Sequence, residues 1–184
     1  MKKLILTGIL IASFVALCGC SRGDSISSAM HPVIQSRLNV LDRQESRANT
    51  GIQKIIDALN AKDREAVKAA FSSSALDETG DIEDGIDYLF ALIPDEIQDC
   101  VEDKRITSTS RKDGHNKEDM KTWYIVSTES NTYTFFLLEN TIDNEQPENL
   151  GIYTLRACKE EDKAEHFSSW QKMKIAGIYV PDES

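Results

Sequence analysis

Residues 121–140 read Lys121-Thr122-Trp123-Tyr124-Ile125-Val126-Ser127-Thr128-Glu129-Ser130-Asn131-Thr132-Tyr133-Thr134-Phe135-Phe136-Leu137-Leu138-Glu139-Asn140, and this stretch decides the fold. β-Branched and aromatic residues crowd two runs, 121–129 and 132–140, and the pair Ser130-Asn131 separates them. That pattern predicts two antiparallel strands joined by a tight turn. Along the second run one face carries Tyr133, Phe135 and Leu137 and the other Thr134, Phe136 and Leu138. The first run sets Trp123 and Ile125 against Tyr124 and Val126. Successive side chains of a strand point to opposite faces, so both faces of this hairpin are apolar.

Working outward, the period of two continues at 101–110, 150–158 and 170–180, with polar connections at 111–119, 143–149 and 159–169. Short links between consecutive strands predict an antiparallel meander. Upstream the period changes to that of a helix. Ile34, Leu38 and Leu41 fall on one stripe, and Ile52, Ile55, Ile56 and Leu59 continue it at i, i+3, i+4 and i+7. We read one long helix here, with Asn49-Thr50-Gly51 as a candidate interruption. Asp63 stands where an N-cap belongs, ahead of a shorter helix with Val67, Ala70 and Phe71 that ends at residues 72–74. A third helix follows Thr79-Gly80, opens at Asp81, carries Ile82, Ile86, Leu89, Phe90 and Ile93 on one face and stops at Pro94. Helices first and a meander after them predict an α+β fold, with a helical layer on one face of the sheet.

A layer of that kind needs one dry sheet face, so the second apolar face of the central strands calls for a cover. A second copy of the chain, the N-terminal helix, a partner or the chain's own loops would each supply it. We group Tyr124, Val126, Phe136 and Leu138 on one side and Trp123, Ile125, Phe135 and Leu137 on the other. Trp123, Tyr124, Val126, Tyr133, Phe135, Phe136, Leu138 and Tyr153 are thus the candidate pocket or interface residues, with a homodimer through the sheet face as one expectation.

The first residues carry a different message. Lys2 and Lys3 precede an apolar run from Leu4 to Cys18, and Gly19 stands directly before Cys20. The run is shorter than the roughly 20 residues a membrane-spanning helix needs, which suits a signal sequence. Leu17-Cys18-Gly19-Cys20 resembles the lipobox of bacterial lipoproteins. The resemblance implies cleavage after residue 19, a diacylglyceryl group on Cys20, and a protein held outside the cytoplasm at the bacterial cell membrane by lipid. We therefore expect a signal peptide at 1–19, a Ser-rich flexible tether at 20–31 and one domain at 32–184. The formal charge is −10 for the whole chain, and the leader takes two lysines with it. An acidic body repels phosphate backbones and anionic headgroups, which argues against nucleic acid and against direct membrane-surface binding.

Ile55-Ile56-Asp57-Ala58-Leu59-Asn60-Ala61-Lys62-Asp63, running on to Ala69-Ala70-Phe71-Ser72, resembles the opening of nuclear-transport-factor-2-like domains. Trp123-Tyr124-Ile125-Val126-Ser127-Thr128, Tyr133-Thr134-Phe135-Phe136 and Gly151-Ile152-Tyr153 resemble the strand motifs of small secreted lipoproteins grouped as domain of unknown function 5104. The resemblance implies a curved sheet wrapped around helices as a cone, whose interior can be a pocket. It brings no catalytic residue with it.

Catalytic and metal chemistry find little support in the residues. Asp57, Asp84 and Asp87 lie off their apolar stripes, toward helix edges or solvent. His31 falls in the tether, and His115 and His166 in connections. Asp77, Glu78, Asp81, Glu83 and Asp84 form an acidic cluster, but Gly80 would occupy the first ligand position of a calcium loop. Acids at a helix N-terminus are favoured by its dipole without a metal. Cys100 and Cys158 fall on the first and fourth strands, three spacings of about 4.8 Å apart, and a disulfide needs Cα atoms within roughly 7 Å, so both are expected as free thiols. The expectation is a non-enzymatic module without cofactor that binds a small ligand or an envelope protein. The alternatives are a structural or dimerising envelope component and a cone-fold isomerase or hydrolase.

Overall fold

The structure, a computed structural model, describes residues 50–167 and 174–181. Cys20, His31, the tether and the helical stripe before residue 50 lie outside the described residues.

The described part of helix α1, residues 50–61, buries Ile52, Ile55, Ile56 and Leu59, as its periodicity predicts. It ends because Lys62 turns left-handed, with φ 54°. Lys62 N–H then reaches Leu59 O at 3.1 Å, and Asp63 N–H reaches Ala58 O at 2.9 Å. These two bonds close a Schellman motif, usually built with glycine. The lysine has a compensating role, since its Nζ donates to the carbonyls of Ile93 and Pro94, at 3.1 Å each.

Helix α2 (Arg64–Ala69) is capped by Asp63, whose carboxylate accepts from Ala66 N–H. Its end differs from expectation. Ser72 caps a further helix, α3 (Ser73–Thr79), by accepting from Ala75 N–H at 3.2 Å. Phe71 between them makes a one-residue parallel bridge to Ile152 and so docks the α2–α3 corner on the sheet. Helix α4 (Glu83–Leu92) buries Ile86 and Leu89. It approaches the C-terminal edge of the sheet so closely that a Cβ on Gly85 would lie 2.5 Å from that of Ile178. Tyr88 Oη donates to Ala157 O at 2.8 Å and fixes the same contact from the other flank.

Five strands follow in spatial order: β1 (Asp99–Lys112), β2 (His115–Ser127), β3 (Thr132–Asp143), β4 (Gly151–Lys159) and β5 (Gly177–Ile178). The first four form the expected meander, but two corrections apply. Residues 111–119 are not a loop. Asp113 and Gly114, at φ 51° and 85°, make a two-residue turn of the type that matches strand twist, and β1 and β2 pair right up to it. The fifth strand has two residues, not eleven, and pairs parallel with β4 through Thr154↔Gly177 and Leu155↔Ile178. Parallel neighbours need a crossover, and residues between 159 and 177 carry it. Its described part holds a 3-10 turn (Glu160–Asp162) and helix α5 (Lys163–His166).

Candidate functional site

Strand register separates the candidate aromatic residues into two groups. Tyr124 pairs with Phe135, Val126 with Tyr133 and Trp123 with Phe136. Residues directly opposite share a face. Tyr124, Val126, Tyr133, Phe135 and Leu137 therefore point together at Ile55, Leu59, Ile86 and Leu89, forming the main core. Trp123, Phe136 and Leu138 point the other way and make a second cluster with Ile106 and Phe167. The grouping of Tyr124 and Val126 with Phe136 and Leu138 is thus corrected, since opposite residues in this hairpin pair even numbers with odd ones. Tyr153 belongs to neither row. It is the extra residue of a β-bulge between the pairs Leu138↔Thr154 and Glu139↔Ile152, and it touches both clusters from the sheet edge.

The inner side is filled. Ile55, Ile86, Leu89, Tyr133 and Phe135 all have 0% exposure. On the outer side Phe167, which follows β4 in the chain, supplies cover. Phe167 stands edge-on to Phe136 at 6.5 Å, and Trp123 packs on Phe136 at 4.9 Å. Arg156 pairs with Phe136 across the strands, is 2% exposed and donates to His166 O at 2.6 Å.

Next to this cluster the outer row of the sheet turns polar, and a cavity of about 280 Å³ opens there. Lys117, Asp119 and Lys121 alternate along β2, Leu138 and Asn140 come from β3, Tyr153 comes from β4, and Asn149 and Lys174 complete the lining. Lys121 Nζ lies 3.5 Å from Asp119, and Lys117 Nζ lies 3.6 Å from Asp143. Asp143 accepts from Asn149 Nδ2 at 2.8 Å and from the backbone of Gln146 and Glu145. These bonds hold its carboxyl below the usual range despite burial. A larger groove of about 520 Å³ lies along α1 and α2, lined by Ala58, Ala61, Ala66, Ala69 and Ala70 with Lys54, Asp57 and Asp63. Methyl groups dominate its walls, whereas the outer-side cavity brings together charges, amides and an apolar floor.

The family model described as a domain of unknown function, DUF5104, matches residues 54–160, more than half of the chain. The chain belongs to that family. No curated protein matches it. The DUF5104 match runs from within α1 to the end of β4 and so contains every wall residue of the outer-side cavity except Lys174.

Inside the DUF5104 domain one carboxylate faces the helices. Glu139 follows Tyr133, Phe135 and Leu137 in the inward phase of β3, opposite Met120 and Ile152. Its carboxylate lies against Gly51, where a Cβ would come within 2.7 Å of Oε2. Burial there pushes its pKa up to about 7, and Lys54 opposes the shift. Continuing the alternation by one step past Leu137 finds this residue in the sequence. The cavity has no such signal, because its walls lie up to 57 residues apart, from Lys117 to Lys174.

The remaining candidates are occupied elsewhere. Asp57, Asp84 and Asp87 are exposed, as their helical phase predicts. Within the acidic cluster, Glu83 pairs with Arg64 and Lys68, Glu78 accepts from Tyr153 Oη at 2.7 Å, and Asp81 bonds the backbone of Glu83. His115 pairs with Glu145, and His166 uses its backbone carbonyl to receive Arg156. Among the described residues no three His, Cys, Asp or Glu side chains gather as a metal group, and no helix is long and apolar enough to cross a membrane. Cys100 and Cys158 are free.

Proposed function

We propose that the protein is a lipid-anchored extracytoplasmic binding module whose ligand site is the cavity on the outer side of the sheet. We further propose that its helices and sheet form a filled cone of the nuclear-transport-factor-2-like type. The observation that carries the reading is the cavity itself. Convergent polar groups above a floor of Leu138 and Tyr153 are the usual make-up of a small-molecule site. The packed inner side supports placing the site outside the core and not within it. The anchor rests on Lys2, Lys3, the apolar run and Leu17-Cys18-Gly19-Cys20. Two acyl chains hold a protein at a bilayer that its acidic surface would otherwise avoid.

The enzyme alternative has one residue in its favour, Glu139, since a carboxyl titrating near neutrality is suited to proton transfer. It is packed against Gly51 and lines neither cavity described above. We therefore assign it no catalytic role.

Two measurements test the reading. Cys20→Ala is expected to move the protein from the membrane fraction to the medium or to leave it unprocessed; normal processing with unchanged membrane retention would refute the anchor. Native mass spectrometry of protein isolated from its own cells is expected to show a small adduct that Asn140→Trp, which fills the cavity, removes. An adduct insensitive to that change would move the site elsewhere.

A further inference from the structure

The cavity's charge runs against that of the chain, and the contrast defines a class of ligand. Acidic side chains outnumber basic ones by 31 to 21 overall, yet the cavity walls hold three lysines and one aspartate. Asp119 offsets Lys121 at 3.5 Å, and Asp143 offsets Lys117 at 3.6 Å. Lys174 has no carboxylate partner among the described residues, and its Nζ stands 5.8 Å from the centre of the Tyr153 ring. Glu78 adds a third carboxylate through its 2.7 Å bond from the Tyr153 hydroxyl, so what sets the site apart is Lys174, the wall lysine without a carboxylate in ion-pair distance among the described residues.

We propose that this cavity binds a small organic carboxylate, with its acid group between Lys174 and Lys121 and its apolar part on Leu138 and Tyr153. The inference rests on the outer-side binding reading given above and names its ligand class. A single lysine without a carboxylate partner matches a monoanion better than a doubly charged phosphate. A cationic ligand would meet three ammonium groups. Size points the same way, because 280 Å³ lies just under the roughly 300 Å³ at which drug-sized sites begin. The acidic remainder of the surface does not forbid the binding of a small anion. Its field is screened beyond about 8 Å at physiological salt, whereas the lysines act at contact distance. A long polyanion would span both regions and be repelled.

Calorimetric titration of the mature full-length protein with benzoate, benzylammonium, benzyl alcohol and inorganic phosphate tests this. Benzoate is expected to bind at least about tenfold more tightly than benzylammonium or benzyl alcohol. Lys174→Glu should weaken benzoate by about tenfold or more while circular dichroism stays unchanged, and Asn140→Trp should block it. Benzylammonium binding as well as benzoate, phosphate displacing benzoate at equal concentration, or benzoate indifferent to Lys174→Glu would each overturn the carboxylate assignment. If a neutral or cationic probe binds and Asn140→Trp blocks it, only the ligand class fails. If no probe binds the wild-type protein at millimolar concentration, both the class and the outer-side reading fail.

Discussion

The guanidinium carbon of Arg156 lies 3.9 Å from the centre of the Tyr179 ring. Phe167 takes the other contact, at 5.3 Å, so one arginine from β4 holds two aromatic residues that are twelve positions apart in sequence. A planar cation stacks on ring faces in a way that an ammonium does not. Burial disfavours its charge and lowers its pKa from the usual value, and the bond to His166 O together with the rings offsets that cost.

Arg156→Ala is therefore expected to destabilise the protein by about 3 kcal/mol, through lost packing and a bared carbonyl. Arg156→Lys should recover less than half of that. Urea denaturation followed by circular dichroism measures both. Limited proteolysis should show new cleavage between residues 160 and 176 in Arg156→Ala.

Glu139 predicts a pH dependence. Its carboxyl titrates near 7 in the folded protein and near 4.5 when unfolded, so the folded state binds the extra proton between those values. Stability is then full below about pH 4.5, falls as pH rises through 7 and levels off above. Glu139→Gln should remove this slope and stabilise the protein by about 2 kcal/mol at pH 8, with little effect at pH 4.5. Thermal unfolding at the two pH values decides the matter, and equal gains at both would disprove it.

Both faces of the central hairpin are interior. Phe135→Glu and Phe136→Glu are each expected to unfold the domain, because each residue has 0% exposure and a charge placed there has no partner. Near-ultraviolet circular dichroism and size-exclusion chromatography read the result. A folded Phe136→Glu variant that merely loses self-association would instead show that a second copy covers this face.

Cys100 and Cys158 should resist modification. Burial raises their thiols to about 11 and about 12, so little thiolate exists at neutral pH. Intact mass after alkylation at pH 7.5 should be the same with and without reductant. Labelling of Cys158, which is 2% exposed, should wait for denaturant. A mass gain that needs reductant would reveal a disulfide.

Much of the architecture is legible in local signals. The stripe at Ile52, Ile55, Ile56 and Leu59, the cap at Asp63 and the stop at Pro94 all appear where periodicity and capping chemistry put them. Helix α3 escapes because Ser72 closes one helical segment and caps the next. The β1–β2 turn is written in Asp113-Gly114, but the charged residues around it outweigh that pair. Strand β5 is set by non-local contacts, the parallel pairing of Ile178 with Leu155 and its packing on Gly85 of α4, which no periodicity encodes. The cavity is hidden for the same reason, since Lys117, Asn149 and Lys174 meet only after folding.

The arrangement around Arg156 also imposes an order of events on biosynthesis. Strands β1 to β4 are complete when residue 159 has been made, yet Phe167, which lies on Arg156 and Phe136, and Tyr179, which lies on Arg156, come later. Until then the emerging sheet carries a wet apolar side with a buried-type cation at its centre. Such a surface attracts chaperones and sister chains. Phe167 and Tyr179 therefore act as a seal made after the sheet, and a polypeptide cut short after residue 159 should be retained by the quality-control machinery even though its four long strands are all present.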